Sequence, residues 1–296
     1  METSPSSRPA GGPGPISVVI ATRNRCRELL HSLEKHLELP ERPHTIVVDN
    51  ASTDGTPERV TQRFPDVEVI ALAENLGAAA RTLGAASART ELVAFSDDDS
   101  WWAPGSLSRA TALFEAHPSL GLLAARVLVG DARSLEAVCE QMASSPLEQR
   151  DGVPGRRILG FVACGAIVRR PAYLEVGGFD PRMGIGGEES LLAIDLAQAG
   201  WDLAYVDDVV ACHHPSPHRD PVSRRRATTR NDLWFRWLRI RAGRAFAGSL
   251  RVAGVAARDP GGRAGLADAV RGLPWALRRR RPVSARLDHE LRALGY

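Results

Sequence analysis

Leu92-Val93-Ala94-Phe95-Ser96-Asp97-Asp98-Asp99 runs from four apolar residues into three consecutive carboxylates. A short apolar run bounded by polar residues reads as a buried strand, so this one delivers concentrated negative charge to a sheet edge. Adjacent carboxylates repel, and the arrangement is reasonable where a divalent ion or a similarly charged partner offsets the repulsion. A solvated acidic turn is the plainer alternative, because a hard-cation site takes ligands from elsewhere too. Trp101-Trp102-Ala103-Pro104-Gly105 is expected to turn the chain into a helix from Ser106 to His117, with Pro104 suited to its first turn.

Upstream of the triplet, β-rich runs alternate with helical ones. Strands are expected at Ile16 to Ala21, Thr45 to Asp49 and Val67 to Ala71, and helices at Arg25 to Leu39, Thr56 to Phe64 and Ala78 to Ala88. Such alternation implies an α/β fold, a largely parallel sheet covered by helices. The strands end in polar clusters, Thr22-Arg23-Asn24, Asp49-Asn50, Ala73-Glu74-Asn75 and the acidic triplet. Ligands of open α/β sheets bind at the carboxyl ends of the strands, so the four clusters should line one crevice. No GxGxxG follows the first strand and no GxxxxGK[ST] occurs, while Gly11-Gly12-Pro13-Gly14 precedes that strand. A nucleotide would then be held by carboxylates reading base and ribose, with a metal carrying the phosphates.

With 296 residues, 44% hydrophobic and 25% charged, the chain can bury one large core or two small ones. Cys26, Cys139, Cys164 and Cys212 are too scattered for a CxxC metal site or a readable disulfide framework, which suits reduced thiols in a cytoplasm. No segment approaches 18 uninterrupted apolar residues, and the first residues lack a basic, then apolar leader, so a soluble, cytoplasmic chain is expected. Residues 1 to 15, rich in Ser, Pro and Gly, are expected to be a disordered lead-in. The net charge of +3 hides an asymmetry. Residues 1 to 214 hold 19 Lys+Arg against 29 Asp+Glu, and residues 215 to 296 hold 19 Arg against 6 acids. Lys35 is the only lysine. A GC-rich genome produces that bias as readily as phosphate binding does, so no nucleic-acid partner is inferred.

Glu188-Glu189 opens a periodic apolar stretch and so sits at a helix N-terminus, where acids also complement the dipole. Gly184, Gly186 and Gly187 before it suggest a mobile approach loop. His213 and His214 leave a strand end on opposite faces, and Arg219, Arg224, Arg225 and Arg226 follow as a diphosphate clamp or a solvated run. Asp232 to Leu250 reads as one amphipathic helix with Leu233, Trp234, Trp237 and Phe246 on a stripe. Trp275 and Arg278 to Arg281 begin a second basic patch. Helices of this kind lie on an anionic membrane or pack on the acidic half, and the sequence leaves both open.

Taken together, Val18-Val19-Ile20-Ala21-Thr22-Arg23-Asn24, Ile46-Val47-Val48-Asp49-Asn50-Ala51-Ser52-Thr53-Asp54-Gly55-Thr56, Glu74-Asn75-Leu76-Gly77-Ala78-Ala79-Ala80-Arg81, Phe95-Ser96-Asp97-Asp98-Asp99, Val176-Gly177-Gly178-Phe179-Asp180, Gly187-Glu188-Glu189 and His213-His214 resemble glycosyltransferase family 2. The likeness covers residues 16 to 214 and implies a GT-A fold, a Rossmann-like, predominantly parallel mixed sheet flanked by helices. It implies a catalytic domain over 16–222 and leaves 223–296 as a basic helical extension. It casts Thr22, Arg23, Asp49 and Arg81 as nucleotide-holding residues, Asp49 toward the base. Asp98 and Asp99 would be the ribose and metal contacts of the family's DxD element, with Asp97 completing it, and His213 would join the metal site.

The family usually has Glu-Asp where this chain has Glu188-Glu189. Its second acid is the base, which favours Glu189, with Glu188 as the alternative because the extra methylene shifts the carboxylate. The implied activity is inverting transfer, dependent on Mn2+ or Mg2+, from a nucleoside-diphosphate sugar to an acceptor hydroxyl. A sugar nucleotidyltransferase would need a glycine-rich loop where Thr22-Arg23-Asn24 stands, and a non-catalytic binder would have little use for both acidic clusters.

Overall fold

A computed structural model of the chain describes residues 14–216 and 220–296. Most of the expected lead-in, 1–13, lies outside them, as does Arg219. In order the elements are β1 (Ile16–Thr22), α1 (Cys26–Leu37), β2 (His44–Asp49), α2 (Thr56–Arg63), β3 (Glu68–Ala71), α3 (Ala80–Ser87), β4 (Leu92–Asp97), β5 (Ser100–Trp102), α4 (Ser106–Ala116) and β6 (Leu120–Val129). There follow β7 (Ser134–Leu135), α5 (Ala137–Ala143), β8 (Arg156–Arg157), β9 (Ala166–Arg169), α6 (Arg170–Glu175), α7 (Glu188–Gln198) and β10 (Asp202–His213). The helices α8 (Pro221–Arg239), α9 (Ala242–Ala256), α10 (Pro260–Arg278) and α11 (Ala285–Ala293) complete the chain.

One sheet runs β3-β2-β1-β4-β9-β6-β10-β5, with β7 on β6 and β8 on β10. The first four strands are parallel, β9 is antiparallel to both β4 and β6, and β10 returns parallel to β6. Val18, Val19, Ile20, Ile46, Val47 and Val48 are fully buried, as both faces of a helix-covered parallel sheet require. At Gly84 of α3 an added Cβ would lie 2.5 Å from Val19 Cγ1 and 2.9 Å from Val48 Cγ2, so the bare backbone lets the helix close on β1 and β2.

Two local expectations are corrected. Trp101 and Trp102 form a strand and not a turn, because β5 pairs antiparallel with the end of β10, Ser100 opposite His213. The reversal is confined to Asp98-Asp99, and the pairing brings His213 to the triplet. The single helix expected over 232–250 is two, broken at Ile240, which is extended (φ −88°, ψ 146°) and fully buried. Arg280 donates to the Ile240 and Trp237 carbonyls there, so the bend is satisfied from the far end of the chain.

A second apolar cluster joins Leu159, Met183, Leu191 and Ile194 to Trp234, Phe235, Leu238 and Trp275. Ion pairs cross the same seam: Arg239 grips Asp195 with two bonds, and Glu290 of α11 accepts from Arg157 at 3.1 and 3.2 Å. The C-terminal helices α8 and α11 therefore pack on the acidic part of the chain.

Candidate active site

Register places the ends of β1, β2 and β4 level: Thr22 stands opposite Asp49, and Ala21 opposite Asp97. Thr22 Oγ1 donates to Asp98 Oδ2 at 3.0 Å. Arg25, just before α1, reaches Asp98 Oδ1 with Nε at 3.0 Å and Asp99 Oδ2 with Nη2 at 2.8 Å. Part of the cation that the triplet demands thus comes from the chain itself, from a residue the sequence reading passed over. Burial pushes the Asp98 carboxyl up to about 7 against the pull of Arg25. Burial also disfavours ionised Asp99, but its His213 hydrogen bond, the charges of His213 and Arg25 and the Ser216 amide overcome this and bring it down to about 2.

His213 is buried, with Nε2 3.4 Å from Asp99 Oδ1, while His214 turns away and stacks on Trp101 at 4.9 Å. Beneath them, Cys164 comes from the short 3-10 turn Ala163–Gly165. Asp97, Cys164 and His213 each offer one ligand atom, all within 4.8 Å of one another. Burial raises the Cys164 pKa far above the ordinary thiol value, so it stands there protonated. No spacing rule finds Cys164; only the antiparallel insertion of β9 between β4 and β6 brings it here. With that thiol neutral and so no ligand, the carboxylate oxygens of Asp97 and Asp99 and one imidazole nitrogen of His213 remain, a donor set that suits Mn2+ or Mg2+.

Asp49 is buried, and its Oδ2 accepts the Ser52 amide at 2.8 Å, the turn-capping bond of a strand-end acid. Its Oδ1 is buried without a hydrogen-bond partner among the described residues. Arg23 is exposed and enters no ion pair among those residues. Arg81 is buried, paired with Asp97, and its guanidinium also feels the charges of Glu188 and Glu189. Arg81 thus lies within electrostatic reach of both the triplet and the Glu pair, although the cavity that Glu189 lines includes none of the three aspartates.

Glu188 and Glu189 open α7 but face different surroundings. Glu188 is buried, accepts the Gly186 amide, and is pushed up to about 8 by burial and by the neighbouring Glu189 charge. Glu189 is half-buried and lines a cavity of about 520 Å³ with Met142, Phe161, Asp232, Arg236 and Tyr296. The glycine loop before them is tied down. Asn231 Nδ2 donates to the Met183 and Gly186 carbonyls at 2.8 Å each, and Arg230 Nη2 to Met183 at 2.6 Å. Gly184 packs against Gly77, where an added Cβ would be 3.1 Å from the Gly184 Cα. Both have positive φ, 66° and 57°, which favours glycine. Of the arginines considered as a diphosphate clamp, Arg225 pairs with Asp259 and Arg226 with Asp268, so they hold α8 to α10.

Residues 17–177, more than half of the chain, match the family model described as Glycosyl transferase family 2. N-acetylglucosaminyl-diphospho-decaprenol L-rhamnosyltransferase of Mycobacterium tuberculosis is 29% identical over 62% of this chain and 71% of its own length. The pre-mycofactocin glycosyltransferase of the same organism is 32% identical over 74% of this chain and 47% of its own length. The structure of a Pyrobaculum calidifontis mannosyltransferase in complex with GDP-Man and Mn2+ superposes with a TM-score of 0.58 at 23% identity. It covers 97% of this chain and 77% of that one, a likeness of fold.

Proposed function

The chain belongs to glycosyl transferase family 2, and on that premise we propose that this glycosyltransferase moves a sugar from a nucleoside-diphosphate donor to an acceptor hydroxyl with inversion and with a divalent ion. The observation that supports the reading is Arg81, which pairs with Asp97 and feels the charges of both Glu188 and Glu189, and so links the strand-end acids electrostatically to the Glu pair. Asp49 Oδ1 is a buried acceptor suited to a base N–H. Thr22 and Arg25 hold Asp98 in place toward the ribose. A divalent ion held by Asp99 and His213 would neutralise charge on the departing diphosphate.

Glu189 takes the proton from the acceptor hydroxyl as the oxygen attacks the anomeric carbon opposite the leaving group. It is the acid with access to the cavity, whereas Glu188 is buried and largely protonated near neutral pH. Glu188 instead holds the loop through the Gly186 amide. The cavity beside Glu189 is the place for the acceptor.

The reading predicts that at least one member of a panel of nucleotide sugars releases nucleoside diphosphate with Mn2+ present and not after chelation, through transfer to an added acceptor or slow hydrolysis to water. Proton NMR of the fresh product should show the opposite anomeric configuration to the donor. No release across the panel, or retained configuration, contradicts it.

A further inference from the structure

Helices α9 and α10 turn an apolar face outward. Phe246 and Leu250 of α9 are 58% and 59% exposed, and Val270 and Leu277 of α10 are 69% and 47% exposed. Each pair belongs to a stripe of helical spacing, 246-250-253 and 266-270-273-277. Between the stripes lies a groove of about 200 Å³, floored by Leu233, Trp234 and Trp237 of α8. The charge around this face has one sign. Residues 241–281 contain ten arginines and two acids, Asp259 and Asp268. Both acids are engaged, Asp259 with Arg225, and Asp268 with Arg226 and Arg271. Arg251, Arg258 and Arg278 are exposed and enter no ion pair among the described residues, whereas Arg279 and Arg281 line a separate cavity with Glu175, Asp180 and Asp195. Arg263 lies seven residues before Val270 and so shares its face.

We propose that this α9–α10 face docks on an anionic phospholipid bilayer. Exposed apolar side chains set among unpaired guanidinium groups complement a surface of negative headgroups over hydrocarbon, and each arginine near such a surface adds attraction. A protein partner of matching shape would have to bring its own excess of acids, whereas an anionic leaflet supplies them at every lateral position. No helix among the described residues is long and apolar enough to cross a membrane, so the contact is peripheral. The geometry joins this face to the cleft: α8 shows Asp232 and Arg236 to the cavity beside Glu189, and Leu233 and Trp237 to the groove. Docking would thus hold that cavity about one helix diameter, roughly 10 Å, from the groove facing the lipid. An acceptor carried by a membrane lipid would meet it there.

The test is co-sedimentation of the full chain, without donor or metal, with vesicles of equal parts phosphatidylglycerol and phosphatidylcholine, and with vesicles of phosphatidylcholine alone. The chain should pellet with the anionic vesicles at low salt and be released as ionic strength rises. Phe246→Ser combined with Leu250→Ser should weaken the partition at least about tenfold while leaving the melting temperature unchanged. Arg263→Gln with Arg278→Gln should weaken it and flatten the salt dependence. No sedimentation at any salt overturns the proposal. So does undiminished binding by the Phe246/Leu250 variant, which would mean generic attraction elsewhere on the chain. A wild-type dimer in solution that those two substitutions dissociate would assign the face to a second copy and overturn it too.

Discussion

Glu189→Gln is expected to bind donor normally and to turn it over about 10²-fold more slowly or worse, the usual scale of a general base. The substitution keeps size and hydrogen bonding but cannot take a proton, so the loss should fall on kcat at saturating donor. Glu188→Gln is the comparison. Its carbonyl can still accept the Gly186 amide, and its predecessor is already held protonated near neutral pH, so turnover should fall far less. The same shift fixes a pH dependence. A carboxyl raised from about 4.3 in the unfolded chain to about 8 when folded stabilises the fold below the unfolded value. That contribution is lost as pH rises through the folded value. Glu188→Gln should therefore melt higher than the wild type above pH 8 and match it at pH 4. If Glu188→Gln were the dead variant and Glu189→Gln active, the two acids would exchange roles; if both turned over normally, the cleft would bind and not catalyse.

Asp99→Asn is expected to remove the metal-dependent rise in melting temperature produced by nucleoside diphosphate, and turnover with it. Arg25 and the Ser216 amide both donate to Oδ2, so the one amide oxygen of asparagine can accept both from that position and the fold should survive. It does lose the stability that the ionised group supplies above its unfolded pKa of about 3.9, a contribution that disappears as pH falls through about 2. The ligand-free variant is therefore the reference for its own ligand shift. Metal-dependent binding equal to that of the wild type in folded Asp99→Asn would remove Asp99 from the ion's ligands.

Much of this architecture is written in local pattern. Buried runs such as Ser17 to Ile20 and Ile46 to Val48 carry little besides apolar residues, and each ends in the polar residue that the parallel register brings to one edge. That His213 and His214 face opposite ways follows from strand alternation, but which one is inward does not; the buried one, beside Asp99, is His213. What stayed hidden depends on long-range placement. Cys164 reaches Asp97 and His213 only because β9 inserts between β4 and β6. Arg25 is one arginine among several until α1 aims it back across the triplet. Asn231 lies beyond the family-like stretch, inside a helix whose sequence advertises an amphipathic stripe, yet it holds the glycine loop before Glu188. The break at Ile240 carries no glycine or proline; its carbonyl is satisfied by Arg280, forty residues later.

The most direct test of the central claim, that the strand ends form a nucleotide-sugar site needing a divalent ion, is titration calorimetry of UDP, GDP, CDP and dTDP into the wild-type chain. Each titration is run with Mn2+ and again with excess EDTA. At least one nucleotide should bind with one-to-one stoichiometry in Mn2+ and lose most of its affinity in EDTA. Equal binding in both conditions, or no binding of any nucleotide in Mn2+, would contradict the account.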